Sequence, residues 1–96
     1  MSLKRKLHQL TGTIKYCWLG ISKSRIYKNQ PFYSLEIEYQ TLFSKKKTDI
    51  YAFANLVNKG IWNTLKSATF KGKTYLFFCE KRVRGWRLKE WEEVIN

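Results

Sequence analysis

Tyr51 and Phe53 lie two residues apart within the run Thr48 to Leu65, Thr-Asp-Ile-Tyr-Ala-Phe-Ala-Asn-Leu-Val-Asn-Lys-Gly-Ile-Trp-Asn-Thr-Leu. On an extended chain that spacing puts both rings on one face and Ile50, Ala52 and Ala54 on the other. Small residues suit the crowding beneath a packing helix, which leaves the two rings on the outer face; the alternative phase has the rings in the core and Ile50, Ala52 and Ala54 outside. Basic side chains occur in clusters elsewhere: Lys4 to Lys6, Lys23 to Lys28, Lys45 to Lys47 and Lys81 to Arg87. Clusters of cations at this density read as a surface for a polyanion, nucleic acid first and an acidic lipid surface or acidic protein second.

Net charge points the same way. Nineteen Lys and Arg against seven Asp and Glu give +12 on 96 residues, and a field of that sign attracts polyanions. Acids gather at Glu90, Glu92 and Glu93, so one end of the fold is expected to face away from the polyanion.

Catalysis finds little support. The one histidine, His8, falls in the basic lead-in. Cys17 and Cys79 have no spacing suited to zinc, and Gly60 and Gly72 are isolated rather than part of a phosphate-cradling loop. The three terminal glutamates read as a solvated face. The expectation is a binding protein with no enzymatic activity, no metal and no cofactor. The two cysteines make no disulfide framework and are expected as buried free thiols. No apolar run reaches the ~18–20 residues of a membrane span and no apolar segment follows the basic start, so an intracellular protein, cytoplasmic or organellar, is expected. The abundance of Lys, Asn, Ile, Phe and Tyr suggests an AT-rich genome.

The elements that must position these residues follow from periodicity. Residues 1–9 form a basic lead-in and residues 10–96 a single domain. Leu10 to Ile21 reads as a first strand, with Gly12 as the site of a bulge or bend. Phe32 to Thr41 alternates Tyr33, Leu35, Ile37 and Tyr39 against Ser34, Glu36, Glu38 and Gln40. Leu42 to Lys47 reads as a turn, and Thr48 to Ala54 as a third strand. A helix is expected from Lys59 to Ala68, capped by Asn58, with Ile61, Trp62 and Leu65 on its apolar stripe. Lys73 to Arg82 and Gly85 to about Trp91 are the last two strands. Trp18, Trp62 and Trp86 are expected in the core; Trp91 is left open.

Three stretches carry a resemblance. Leu10-Thr-Gly-Thr-Ile14 looks like the opening of an OB-fold first strand. Tyr51-Ala-Phe-Ala54 with its following helix resembles the third strand and helix of single-stranded DNA-binding proteins. Phe70-Lys-Gly-Lys-Thr-Tyr-Leu-Phe77 resembles their glycine-turn entry into strand four. The chain is therefore similar, over residues 10–91, to OB-fold single-strand-binding modules of the bacterial, primosomal or replication-protein-A type. That implies a mainly β, five-stranded barrel with one short helix between strands three and four. It implies a binding surface on strands two and three, flanked by the first-to-second and fourth-to-fifth strand loops. Carried onto this sequence, the site comprises Tyr51, Phe53 and Phe32 as stacking rings, Lys23, Arg25, Tyr27 and Lys28 on one loop, and Lys81, Arg82 and Arg84 on the other. The implied partner is single-stranded DNA ahead of RNA, with homo-oligomers formed by pairing barrels as a further expectation. Glu36 and Glu38 fall on the same face and would repel phosphate unless paired with Lys45 to Lys47. The bacterial single-stranded DNA-binding proteins that this chain resembles carry a Gly/Pro/Gln-rich linker and an acidic-hydrophobic tip. Here Trp-Glu-Glu-Val-Ile-Asn is only a faint echo of that tip, so recruitment of partners through a tail is not expected. The alternative is a structural barrel that docks on a ribonucleoprotein or an acidic protein and needs no exposed rings.

Overall fold

The computed structural model describes residues 7–23, 25, 28–83 and 85–95. Five strands and one helix follow in order: β1 (His8–Ile21), β2 (Pro31–Gln40), β3 (Lys45–Phe53), α1 (Lys59–Ser67), β4 (Thr74–Arg82) and β5 (Gly85–Val94). The strands close into a barrel in the order β1-β2-β3-β5-β4, with β3 and β5 parallel and the other neighbours antiparallel. A mainly β barrel with its helix between strands three and four is the expected architecture, and it is compatible with an OB-like fold. Several boundaries shift outward. β1 begins at His8, which pairs with Cys79, so His8 and Gln9 belong to the barrel rather than to the lead-in. Lys45 to Lys47 are strand rather than turn, because they pair with Gln40, Tyr39 and Glu38. β5 runs on to Val94 opposite Thr74.

The core follows the alternation. Leu35, Ile37, Ala52, Phe77 and Leu88 are fully buried and Ile50 nearly so, joined by Ile14, Tyr75 and Cys79. The helix seals one end. The Asn58 side chain accepts a hydrogen bond from the Ile61 amide at 2.8 Å, and Ala68 ends the helix in the left-handed conformation. The helix buries Ile61 and Leu65 in the core, and its Trp62 ring lies 4.8 Å from that of Tyr33. The opposite mouth of the barrel holds a pocket of about 200 Å³ lined by His8, Tyr39, Thr48, Ile50, Cys79 and Trp86. Tyr75 and Trp91 stack at 4.3 Å, which settles Trp91 against the core.

β1 serves two neighbours. Its first half pairs with β4 and its second half with β2. Such a strand must bend sharply, and two positions allow it. At Gly12 an added Cβ would sit 2.5 Å from the Glu38 carbonyl oxygen, so only glycine lets the backbones approach. The bulge itself lies further on, at Lys15, where the register with β2 slips between Ile14 and Tyr16. An extra residue in one strand reverses which side chains point inward. Ile14 is therefore buried, while Tyr16 and Trp18, nominally in phase with it, are 62% and 53% exposed. The expectation that Trp18 is a core residue is corrected by this bulge; Trp62 and Trp86 do pack against the core.

The thiols are not bonded to one another: Cys79 is buried and Cys17 half-buried. Burial pushes Cys17 up to about 11 and Cys79 up to about 12 from the ordinary 9.0. The native state therefore keeps thiol protons that the unfolded chain gives up near pH 9. Stability is unaffected by these groups below that pH and falls as the pH rises from 9 towards 12. Urea midpoints at about pH 8 and pH 10.5 should separate less in Cys17→Ser than in the parent; an equal separation contradicts the assignment. Among the described residues no helix is long and apolar enough to cross a membrane.

Candidate nucleic-acid interface

The outer face of the barrel is assembled row by row from the pairing of β1, β2 and β3. Phe32 stands opposite Phe53, and Ser34 opposite Tyr51. On the other side of β2, Gly20 faces Phe32, Trp18 faces Ser34 and Tyr16 faces Glu36. With Ile50 and Ala52 buried, Tyr51 and Phe53 lie on the outward face, which decides between the two phases that alternation allows. The rings meet. Phe32 and Phe53 lie 5.4 Å apart and Phe32 and Tyr51 5.9 Å apart in an edge-to-face arrangement. All three are half-buried, each leaving part of its ring to solvent. Gly20 makes room for them: an added Cβ would come within 2.8 Å of the Phe32 ring.

Trp18 lies in the same row as Tyr51, on the far side of Ser34. With neighbouring strands ~4.8 Å apart, the two backbones are about 10 Å from one another. The aromatic surface therefore spans three strands, with Tyr16 and Trp18 adding the two most exposed rings. Sequence reading misses both, because only the bulge at Lys15 turns them outward. Arg87 is also missed. It pairs in register with Tyr51, is 8% exposed and is bound to Glu80. The alternation of Trp86 and Leu88 inward and Arg87 outward is the signal that could have found it.

The loops fall on either side. Lys23, Arg25 and Lys28 are exposed in the β1–β2 connection, which is tied at its base by Ser22 to Gln30 and Asn29 to Ser22 backbone bonds of 2.9 and 3.0 Å. The β4–β5 turn approaches Tyr51, since a Cβ on Gly85 would lie 3.4 Å from that ring. Arg82 stands on this side and reaches Glu80 at 3.4 Å. Lys81 turns the other way, its ammonium 4.7 Å above the Trp86 ring. Tyr27 and Arg84, the remaining candidates, lie outside the described residues. Phe32, Tyr51 and Phe53 thus form one cluster, Arg82 flanks it, and Lys81 is directed away.

Carboxylates on this face are mostly neutralised. Lys47 is 3.6 Å from Glu36 and Lys15 is 3.6 Å from Glu38. Glu36 is therefore paired within the expected lysine cluster, whereas Glu38 uses a cation from β1. For Glu80, burial would raise the carboxyl, but the hydrogen bond and charge of Arg87, with Lys89 and Arg82, hold it below the ordinary value. Asp49, exposed and opposite Glu36, has no cation within 4 Å among the described residues. Asp49→Asn should tighten single-strand binding severalfold at low salt, roughly 1 kcal/mol for one removed repulsion at an exposed site. An affinity unchanged in the variant would place the phosphates elsewhere.

Among the described residues no cluster of three metal-ligating side chains exists. The chain matches no family model, and neither a curated protein nor a solved structure matches it at a significant level.

Proposed function

We propose that this chain binds single-stranded nucleic acid with little sequence preference, as an OB-type single-strand-binding module. One observation carries the reading. Phe32, Tyr51 and Phe53 cluster on the outside of the barrel, not in its core, and Trp18 and Tyr16 continue that surface onto β1. A structural barrel has no need of five rings on its outer face, where each leaves apolar area in water. Successive bases would stack on these rings, while Lys23, Arg25, Lys28 and Arg82 neutralise phosphates and release counterions. Single strands are favoured over duplex because only unpaired bases expose their faces. DNA is placed ahead of RNA on the resemblance of strand three and its helix alone. No step of this mechanism makes or breaks a covalent bond.

Trp18 gives the reading a direct optical test. It is the one tryptophan on the aromatic face; Trp62, Trp86 and Trp91 pack against the core. A single-stranded oligonucleotide should quench tryptophan emission, and Trp18→Phe should abolish most of that quenching while the domain stays folded. Binding without quenching, or quenching that persists in the variant, would move the ligand off this face.

A further inference from the structure

The β2–β3 hairpin ends in a tip that the aromatic face does not use. Thr41 fixes it. Its amide and its hydroxyl both donate to the Ser44 carbonyl at 2.8 Å, and the hydroxyl accepts from the Ser44 and Phe43 amides at 3.1 and 3.3 Å. The Gln40 side chain adds a bond to the Thr41 carbonyl at 2.9 Å. These bonds fix the backbone from which the tip's side chains project. The tip nevertheless presents Leu42 and Phe43 to water, each 94% exposed. Burying two side chains of this size is worth about 1.5–3 kcal/mol each, and the tip forgoes both. They project beyond the last strand pair, Gln40 with Lys45, where the barrel cannot cover them. Directly behind them Lys45, Lys46 and Lys47 are all exposed. Lys47 is committed to Glu36, but Lys45 and Lys46 have no carboxylate within 4 Å among the described residues.

Two apolar side chains ahead of a basic collar, on a chain of charge +12, fit a polyanion with an apolar interior. Nucleic acid has that construction. Leu and Phe side chains enter between base steps where stacking is already weakened, and lysines meet the flanking phosphates. Stacking is weakest at the end of a duplex. The tip also belongs to the same hairpin as the aromatic cluster: from Phe32 to Gln40 the strand advances about 26 Å at ~3.3 Å per residue. A single strand held on the rings could therefore run along the hairpin to a duplex end at the tip.

We infer that the hairpin tip is a wedge for the junction between single and double strand. Leu42 and Phe43 insert at the terminal base pair, and Lys45 and Lys46 contact the phosphates beside it. This rests on the single-strand reading above.

The test uses a DNA hairpin with a single-stranded tail, carrying a fluorescent adenine analogue at its last pair. The tail alone, a blunt hairpin and phosphatidylserine-containing vesicles serve as comparisons. The junction should bind roughly tenfold tighter than the tail alone, the order that one base–aromatic contact supplies. The analogue's emission should rise as it unstacks. The double variant Leu42→Ser/Phe43→Ser should lose both effects, yet bind the tail as the parent does and melt at the same temperature. Equal affinity for junction and tail, or an unchanged analogue signal, overturns the wedge and leaves the single-strand reading standing. Absence of tail binding overturns both. Vesicle binding that the double variant loses, with junction binding intact, overturns the wedge in favour of a lipid surface.

Discussion

Replacing Tyr51 and Phe53 together by alanine should weaken single-strand binding at least roughly thirtyfold, since each stacked base is worth about 1–3 kcal/mol. The folded state should survive. Both rings lie outside the core cluster, and Ile50 and Ala52, which anchor β3 inside the barrel, are untouched. The expected loss of stability is about 1–2 kcal/mol, from the edge and tilted contacts that the two rings make with Phe32. Affinity and urea midpoint must be measured on the same preparations. Collapse of the fold would mean that the rings are structural. Full affinity in a folded double variant would mean that the ligand binds elsewhere, with the charge alone at work.

The largest effect on stability should come from Phe77→Ala. Phe77 is fully buried at the centre of β4, its ring 5.9 Å from Tyr75 and 6.0 Å from Trp91. Truncating a buried phenylalanine removes its transfer free energy and leaves a cavity, at about 3–5 kcal/mol. A domain of this size has about 5–15 kcal/mol in total, so the variant should lose a large share of its stability and unfold at a much lower urea concentration than the parent. Leu42→Ala, at a position 94% exposed, is the matched control and should leave the urea midpoint unchanged. A Phe77→Ala cost below about 1 kcal/mol would contradict the assignment of this ring to the core.

Where local pattern decides the structure, the sequence is readable. Small residues at Ala52 and Ala54 against rings at Tyr51 and Phe53 favour one phase of β3 but leave the other open, and the burial of Ile50 and Ala52 decides it; Asn58 ahead of Ile61, Trp62 and Leu65 reveals the helix. Apolar residues on both faces of β4 mark a strand covered from two sides, and Phe77 and Phe78 are both buried. What fails is long-range. The bulge at Lys15 depends on β1 leaving β4 for β2, and no residue near Lys15 announces it. Because a one-residue slip inverts every later side chain, that single feature misplaces Trp18 and hides Tyr16. Gly12 is read as the bend, and it does mark a close approach, but three residues before the bulge. The pairing of Glu38 with Lys15 instead of the hairpin lysines has the same origin, since the partner comes from a neighbouring strand. Of the site, the rings on β2 and β3 are legible, while their extension onto β1 and the buried Arg87 beside Tyr51 need the closed barrel.

Exposed rings and basic loops that hold unpaired bases should prefer a single strand to a duplex. A fluorescence-anisotropy titration with single-stranded DNA, single-stranded RNA and duplex DNA of equal length, at low and moderate salt, measures that preference. The preference for the single strand should survive moderate salt, because stacking is insensitive to the counterion release that governs phosphate contacts. Equal binding to all three that vanishes as salt rises would contradict it and leave only a cationic surface.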